Sequence, residues 1–178
     1  MHSLILILFL SVVMATNDSK GELPIGLTED ERSRIHEIYT MGRDTDPPPT
    51  PIRNVAEYER MEGVLIRYPF GISTALIAEM SEDVTIYCLV SSSQQNSASN
   101  AMENGGADMD NVEFVVGSTD SYWTRDYGPW WVVDGERNMS IVDFTYNRPR
   151  PNDNDAPCLL YTSPSPRDLS TSRMPSSA

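Results

Sequence analysis

Three short apolar runs rich in β-branched residues constrain the fold more than any other feature of this chain. They are "GVLIRY" at 63–68, "VTIYCLV" at 84–90 and "VEFVV" at 112–116. Runs of this length, bounded by turn residues, read as buried strands. Between the first two, Ser73 is placed to cap a helix that reaches about Ser81. Between the second and third, a polar helix covers about 94–104, and Gly105-Gly106 ends it. Strand, helix and strand at this spacing predict an α/β fold class, with a mixed sheet and helices packed on it. Further on, the runs 130–133 and 140–144 flank Asp134-Gly135 and predict a β-hairpin.

The chain divides into four stretches. Residues 1–15 read as a signal peptide, with a polar start, an apolar run at 4–13 and small residues before a cut after Ala15. A membrane span needs about twenty apolar residues, so the expectation is a secreted or secretory-pathway product, off the membrane once cleaved. Asn17-Asp18-Ser19 and Asn138-Met139-Ser140 fit the glycosylation acceptor pattern, which alone supports nothing. Residues 16–50 hold a helix and a linker. Thr28-Glu29-Asp30-Glu31 has capping-box form, and Ile35, Ile38 and Tyr39 recur at helical spacing, which predicts a helix over about 29–40. "DTDPPPTP" at 44–51 cannot continue it and reads as an extended connector. Residues 51–157 form the main domain.

The last stretch, 158–178, "CLLYTSPSPRDLSTSRMPSSA", matches an in-frame translation of a transposase-based sequencing adapter. The codons TGT CTC TTA TAC ACA TCT, for example, translate to its opening "CLLYTS". On that reading the tail is adapter-derived and disordered, and the gene continues past Pro157. Cys158 belongs to it, which leaves Cys88 as a packed strand thiol rather than a nucleophile, since a nucleophile needs an open, electropositive site. Net charge is −13, or −14 without the tail's Arg167, Asp168 and Arg173. Such acidity disfavours nucleic acid, whose phosphates are met by Lys and Arg. It draws cationic ligands, and it serves solubility equally well.

The chemistry concentrates in "TDSYWTRDYGPWW" at 119–131 and "IVDFTYNRPR" at 141–150. A pocket for a guanidinium needs an ionised carboxylate, a flat apolar wall and rigid turns to hold both. Asp126, Trp123 and the Gly128-Pro129 turn supply these parts. Alternation around Pro149 aims the forks of Arg148 and Arg150 the same way, an arrangement suited to a carboxylate. Each residue also has a plainer reading. Asp126 pairs with Arg125, Trp123 packs in the core, and the two arginines pair with Asp153 and Asp155.

Together with "PIRNVAEYERMEGVLIRYPFGIS" at 51–73, these segments resemble the bacterial, Porphyromonas-type peptidylarginine deiminases, within the wider agmatine deiminase family of the pentein superfamily. The resemblance spans roughly 51–155 and implies a partial pentein-type αβ propeller, holding the first module and the start of the second. An isolated module of that kind is expected to expose apolar faces and to fold poorly. The implied reaction is hydrolysis of a guanidinium to a ureido group, arginine to citrulline, with ammonia released through a cysteine thiouronium. No metal or organic cofactor is called for, and the partner is a guanidino substrate. Asp126 would grip two guanidinium nitrogens and Trp123 would wall the pocket. Arg148 and Arg150 would bind the substrate's α-carboxylate. Agmatine deiminases, whose substrate lacks that carboxylate, carry an apolar, glycine-rich sequence there, which favours peptidyl or free arginine. The family's histidine, companion aspartate and nucleophilic cysteine lie downstream of "NRPR" without counterparts here, so this chain alone is expected to be inactive. Two alternatives stand beside this reading: an agmatine deiminase of putrescine biosynthesis, and a non-catalytic guanidino-binding protein.

Overall fold

A computed structural model of the chain describes residues 26–42 and 49–162. The expected signal peptide, much of the proline-rich connector and residues 163–178 lie outside the described residues. In chain order the elements are α1 (Glu29–Ser33), a 3-10 turn (Ile35–Thr40), β1 (Arg53–Asn54), β2 (Gly63–Arg67), α2 (Thr74–Ser81), β3 (Thr85–Val90) and α3 (Gln95–Asn104). A second 3-10 turn (Met109–Asn111), β4 (Val112–Val116), α4 (Thr124–Tyr127), β5 (Trp130–Val133), β6 (Met139–Val142) and α5 (Pro151–Thr162) follow.

The three apolar runs form a parallel sheet in the order β2-β3-β4, with Gly63 opposite Thr85 and Ile86 opposite Val112. Parallel neighbours require a crossover, and α2 and α3 provide the two. Every residue of β3 is buried because it is the middle strand and both its faces are covered. Side chains alternate across a strand. Ile86, Cys88 and Val90 therefore meet Ile77 of α2 and Ala98 and Met102 of α3, while Tyr87 and Leu89 face the other way. On that second side they pack with Val115, Tyr127, Tyr146, Ala156 and Leu160.

The helix boundaries follow local chemistry. The Ser73 hydroxyl accepts from the Leu76 N–H at the start of α2, as its sequence predicts. Gly106, at φ +90°, takes the left-handed conformation that ends α3. The mixed sheet is corrected. The hairpin β5-β6 does not join the parallel sheet but forms a separate antiparallel one in the order β1-β5-β6. The physical reason is that β5 takes β1 as its neighbour, Arg53 lying opposite Val133, and so has no edge left for β4.

Two further expectations change. The N-terminal helix is not continuous: α1 ends at Arg34, at φ −102° and ψ 6°, and the chain tightens into the 3-10 turn, leaving Tyr39 in solvent. Disorder from residue 158 onward is corrected for 158–162, which extend α5 through Pro157. Leu160 is buried there, and Leu159 packs so closely at Gly117 that a Cβ on that glycine would collide with it. Those two leucines find apolar surface on the second face of the sheet, which offsets the hydrogen bond that Pro157 removes from the helix.

The capping box of α1 forms as read: the Glu31 N–H donates to Thr28 Oγ1 at 3.1 Å and the Thr28 N–H donates to Glu31 Oε2 at 2.8 Å. Glu31 is also the anchor of this segment, accepting from Arg150 Nε at 2.6 Å. Burial alone would raise its carboxyl, but the Thr28 N–H and the Arg150 guanidinium outweigh that and hold it below its ordinary value of 4.5. A carboxylate whose folded value is depressed stabilises the fold fully above its unfolded value and loses that contribution as pH falls through the folded one. The protection of the Ile35–Thr40 turn against hydrogen exchange, referred to the intrinsic rate at each pH, is therefore expected to fall once the pH drops below 4.5, with the protection of β3 unchanged over the same range. Uniform loss of protection in both would dismiss the local anchor.

Candidate functional site

Three stretches of chain, 123–126, Trp130 and 144–150, converge on one cleft of about 810 Å³. Its lining includes Trp123, Asp126, Arg148 and Arg150, the four residues that the sequence singles out, although 22 positions separate Asp126 from Arg148 in the chain.

The Trp123 and Asp126 side comes from α4, a single helical turn. Trp123 precedes it and Gly128, at φ +95°, closes it, a backbone conformation that side-chain-bearing residues rarely adopt. Trp123 is half-buried, tilted 41° to the Tyr122 ring at 4.9 Å, and rests against the second apolar cluster. It thus has a core-packing role and a cleft face together. Asp126 is exposed. Its expected rival partner, Arg125, pairs instead with Glu57, on the exposed surface. Asp126 and Arg125 diverge because they sit on a helical turn, where neighbours in sequence do not face each other.

The Arg148 and Arg150 side precedes α5. Arg148 is half-buried at the cleft, whereas Arg150 is only 5% exposed. The structure does not give Arg150 the Asp153 or Asp155 partner considered from sequence; its Nε meets Glu31. Asp153 is committed elsewhere. It is fully buried, and its Oδ1 accepts from the N–H groups of Asp120 and Ser121 at 2.8 and 3.0 Å, while Ser121 Oγ donates to Oδ2 at 2.6 Å. Asp120 answers from the other direction, taking the Asn152 N–H at 3.0 Å and Asn152 Nδ2 at 2.8 Å, which satisfies a free donor in the first turn of α5. Burial pushes the Asp153 carboxyl above its usual range, and the bonds from Ser121 and Asp120 pull it only part of the way back.

Three cleft residues went unremarked in the sequence. Trp130 and Phe144 stack edge to face, their centroids 5.9 Å apart, and Tyr146 stands behind them in a similar contact with Tyr127 at 5.8 Å. A signal existed: Trp130 lies opposite Val142 in the hairpin, so alternation places Phe144, two residues later, on the side of Trp130. The lining thus sets one carboxylate and three guanidinium groups, those of Arg125, Arg148 and Arg150, among aromatic walls. Neither a cysteine nor a histidine is part of it among the described residues. Among those residues no cluster of His, Cys, Asp and Glu could hold a metal ion.

Two outcomes follow. Asp153→Ala leaves the N–H groups of Asp120 and Ser121 without their acceptor, so urea unfolding should show a loss of about 2–4 kcal/mol, with Asp153→Asn costing less because its amide oxygen still accepts. Equal losses for the two variants would mean that these bonds are not what the carboxylate contributes. Cys88, fully buried in β3, has its thiol pushed up to about 12 by burial. It should resist iodoacetamide at neutral pH until the protein is unfolded, as peptide mass mapping would show.

The cleft's lining falls entirely within one matching stretch: residues 56–154, more than half of the chain, match the family Porphyromonas-type peptidyl-arginine deiminase. The chain belongs to that family of guanidino-group hydrolases.

Proposed function

We propose that this chain is the ligand-holding front portion of a peptidyl-arginine or arginine deiminase, part of a pentein-type αβ propeller. The observation that carries this reading is the convergence of Trp123, Asp126, Arg148 and Arg150 on a single cleft. A guanidinium is a flat, delocalised cation and a poor electrophile, so an enzyme must first fix it. Asp126 would accept hydrogen bonds from two of its nitrogens, and Trp123 would lie along its plane or its alkyl stem.

The complete reaction needs more than this cleft holds. A cysteine thiolate adds to the guanidinium carbon, forming a C–S bond. The C–N bond to one nitrogen breaks as an acid protonates it, and ammonia leaves. Water then adds to the thiouronium carbon and the thiolate departs, which leaves the ureido product. Cys88 cannot serve, being sealed in the sheet with a protonated thiol. Cys158 and His36 are not part of the cleft's lining, so the nucleophile and the proton shuttle are assigned to sequence other than these described residues. The chain alone binds and does not turn over. A second reading, a guanidino-binding protein without catalysis, has the same observation in its favour.

Arg148 and Arg150 direct the choice of ligand. A carboxylate on the ligand can be met by one or both of these guanidinium forks, whereas agmatine brings a second cation toward the side that already holds Arg148 and Arg150. The reading is thus of an arginine deiminase rather than an agmatine deiminase. Titration calorimetry of the chain with N-acetyl-L-arginine and with agmatine tests it. Asp126→Ala should weaken both ligands by about 10–100-fold, the worth of a charge-assisted bond. Arg148→Ala should weaken N-acetyl-L-arginine by roughly tenfold and leave agmatine bound as tightly or more tightly, because the like charge that opposes it is gone. If Arg148→Ala left the ratio of the two affinities untouched, the carboxylate-recognition role would be lost.

A further inference from the structure

The N-terminal segment meets the rest of the molecule at the loop that carries Arg148 and Arg150. Glu31 Oε1 accepts from Arg150 Nε at 2.6 Å, across 119 positions of sequence. Arg34 Nη1 donates to the Pro149 carbonyl at 3.2 Å, and Asn154 Nδ2 donates to the Met41 carbonyl at 3.2 Å. The Glu31 and Arg150 side chains are 7% and 6% exposed. A buried ion pair is an inefficient way merely to fasten a helix, because desolvation offsets much of its attraction. What it supplies well is direction.

The bond geometry indicates which direction. Glu31 meets Arg150 at Nε, along one edge of the planar guanidinium, and a carboxylate in that position orients the group without using the Nη1 and Nη2 edge. Glu31 cannot swing freely itself, since its Oε2 accepts the Thr28 N–H at 2.8 Å within the capping box. Arg150 in turn lines the cleft. We infer that Glu31 is a positioning residue for carboxylate recognition: by holding Arg150 at Nε it aims the Nη1–Nη2 edge into the cleft, where the carboxylate of an arginine-type ligand would meet it end-on. This rests on the reading of Arg150 as a carboxylate-binding residue. Glu31 lies outside the matched residues 56–154, so the specificity of the cleft depends on a segment beyond the match.

Two measurements on the full chain decide the matter, each with Glu31→Ala and Glu31→Gln. The first is the Arg150 Nε–Hε resonance by NMR, which reports the contact without any ligand. It should be resolved and slow to exchange in the wild type, less protected in Glu31→Gln, whose single amide oxygen cannot accept from both the Thr28 N–H and Arg150 Nε as the two carboxylate oxygens do, and it should vanish into exchange in Glu31→Ala. The second is calorimetry: Glu31→Ala should weaken N-acetyl-L-arginine by about tenfold and hold agmatine within about twofold, and Glu31→Gln should fall between the wild type and Glu31→Ala. Tighter N-acetyl-L-arginine binding in Glu31→Ala would make Glu31 a competitor and overturn the inference, as would equal losses for both ligands, which would mark a purely structural contact. Should the wild type bind neither ligand, the guanidino reading itself fails. The Arg150 resonance would then still uphold or refute the hold of Glu31 on Arg150.

Discussion

The buried carboxylate of Asp153 is the constraint on which the cleft depends. It gathers the N–H groups of Asp120 and Ser121 and the Ser121 hydroxyl, and Asp120 reaches back to cap the first turn of α5. Taking a carboxylate out of water is unfavourable unless its lone pairs find donors. Three donors within 3.0 Å supply that compensation here. The reciprocal exchange fixes the start of α5 against the loop before α4. Trp123 and Asp126 follow that loop, and Arg148 and Arg150 precede that helix. One polar knot therefore sets the spacing between the carboxylate side and the guanidinium side of the cleft.

Apolar packing makes this knot rigid. Tyr127 closes α4 with its ring against Tyr146 and its hydroxyl donating to the Ser121 carbonyl at 3.2 Å, so the loop is held by the same ring that packs on the sheet. Leu159 and Leu160 press α5 onto Val115 and Leu89. The second face of the parallel sheet is thus the platform of the cleft. The first face, filled by α2 and α3, takes no part in its lining. That division explains why β3 is buried along its whole length although the cleft lies on one side only.

Much of this was legible in the sequence, and the failures share a cause. The strands, the Thr28 and Ser73 caps, the Gly106 stop and the four cleft residues are encoded within a few positions of themselves, by periodicity, capping chemistry or a compact motif. The separation into two sheets, the two-residue strand β1, the Asp153 knot and the Glu31–Arg150 pair are not. Each depends on a partner far away in the chain, and nothing local marks Arg53 as opposite Val133 or Glu31 as opposite Arg150. Nothing local signals a helix over residues 150–157, with Pro151, Pro157 and four acidic or amide side chains before Ala156. Pro151 is well suited to the first helical position, however, and Asp120 provides the cap from another segment. The extension of α5 through Pro157 shows tertiary burial overriding local propensity.

The pairing of charges around the cleft gives it a polarity that composition alone would hide. In a chain with net charge −13, the cleft lining carries three arginines and one aspartate, and Arg125 and Arg150 have carboxylate partners that are not part of that lining. Arg125 pairs with Glu57 at the surface, where solvent screens the pair, and so it competes little for Asp126. Arg150 pairs with Glu31 away from water, where the interaction is much less screened. What remains is an accessible carboxylate on the α4 side and guanidinium groups on the other, with aromatic faces between them. On the proposed reading, a ligand with a cation at one end and an anion at the other fits that polarity in a single orientation. A ligand with two cations satisfies Asp126 only by placing its second charge toward Arg148. Selectivity would then come from the penalty on the wrong ligand as much as from attraction of the right one, because like charges brought together in a partly desolvated cleft oppose binding more strongly than they would in water.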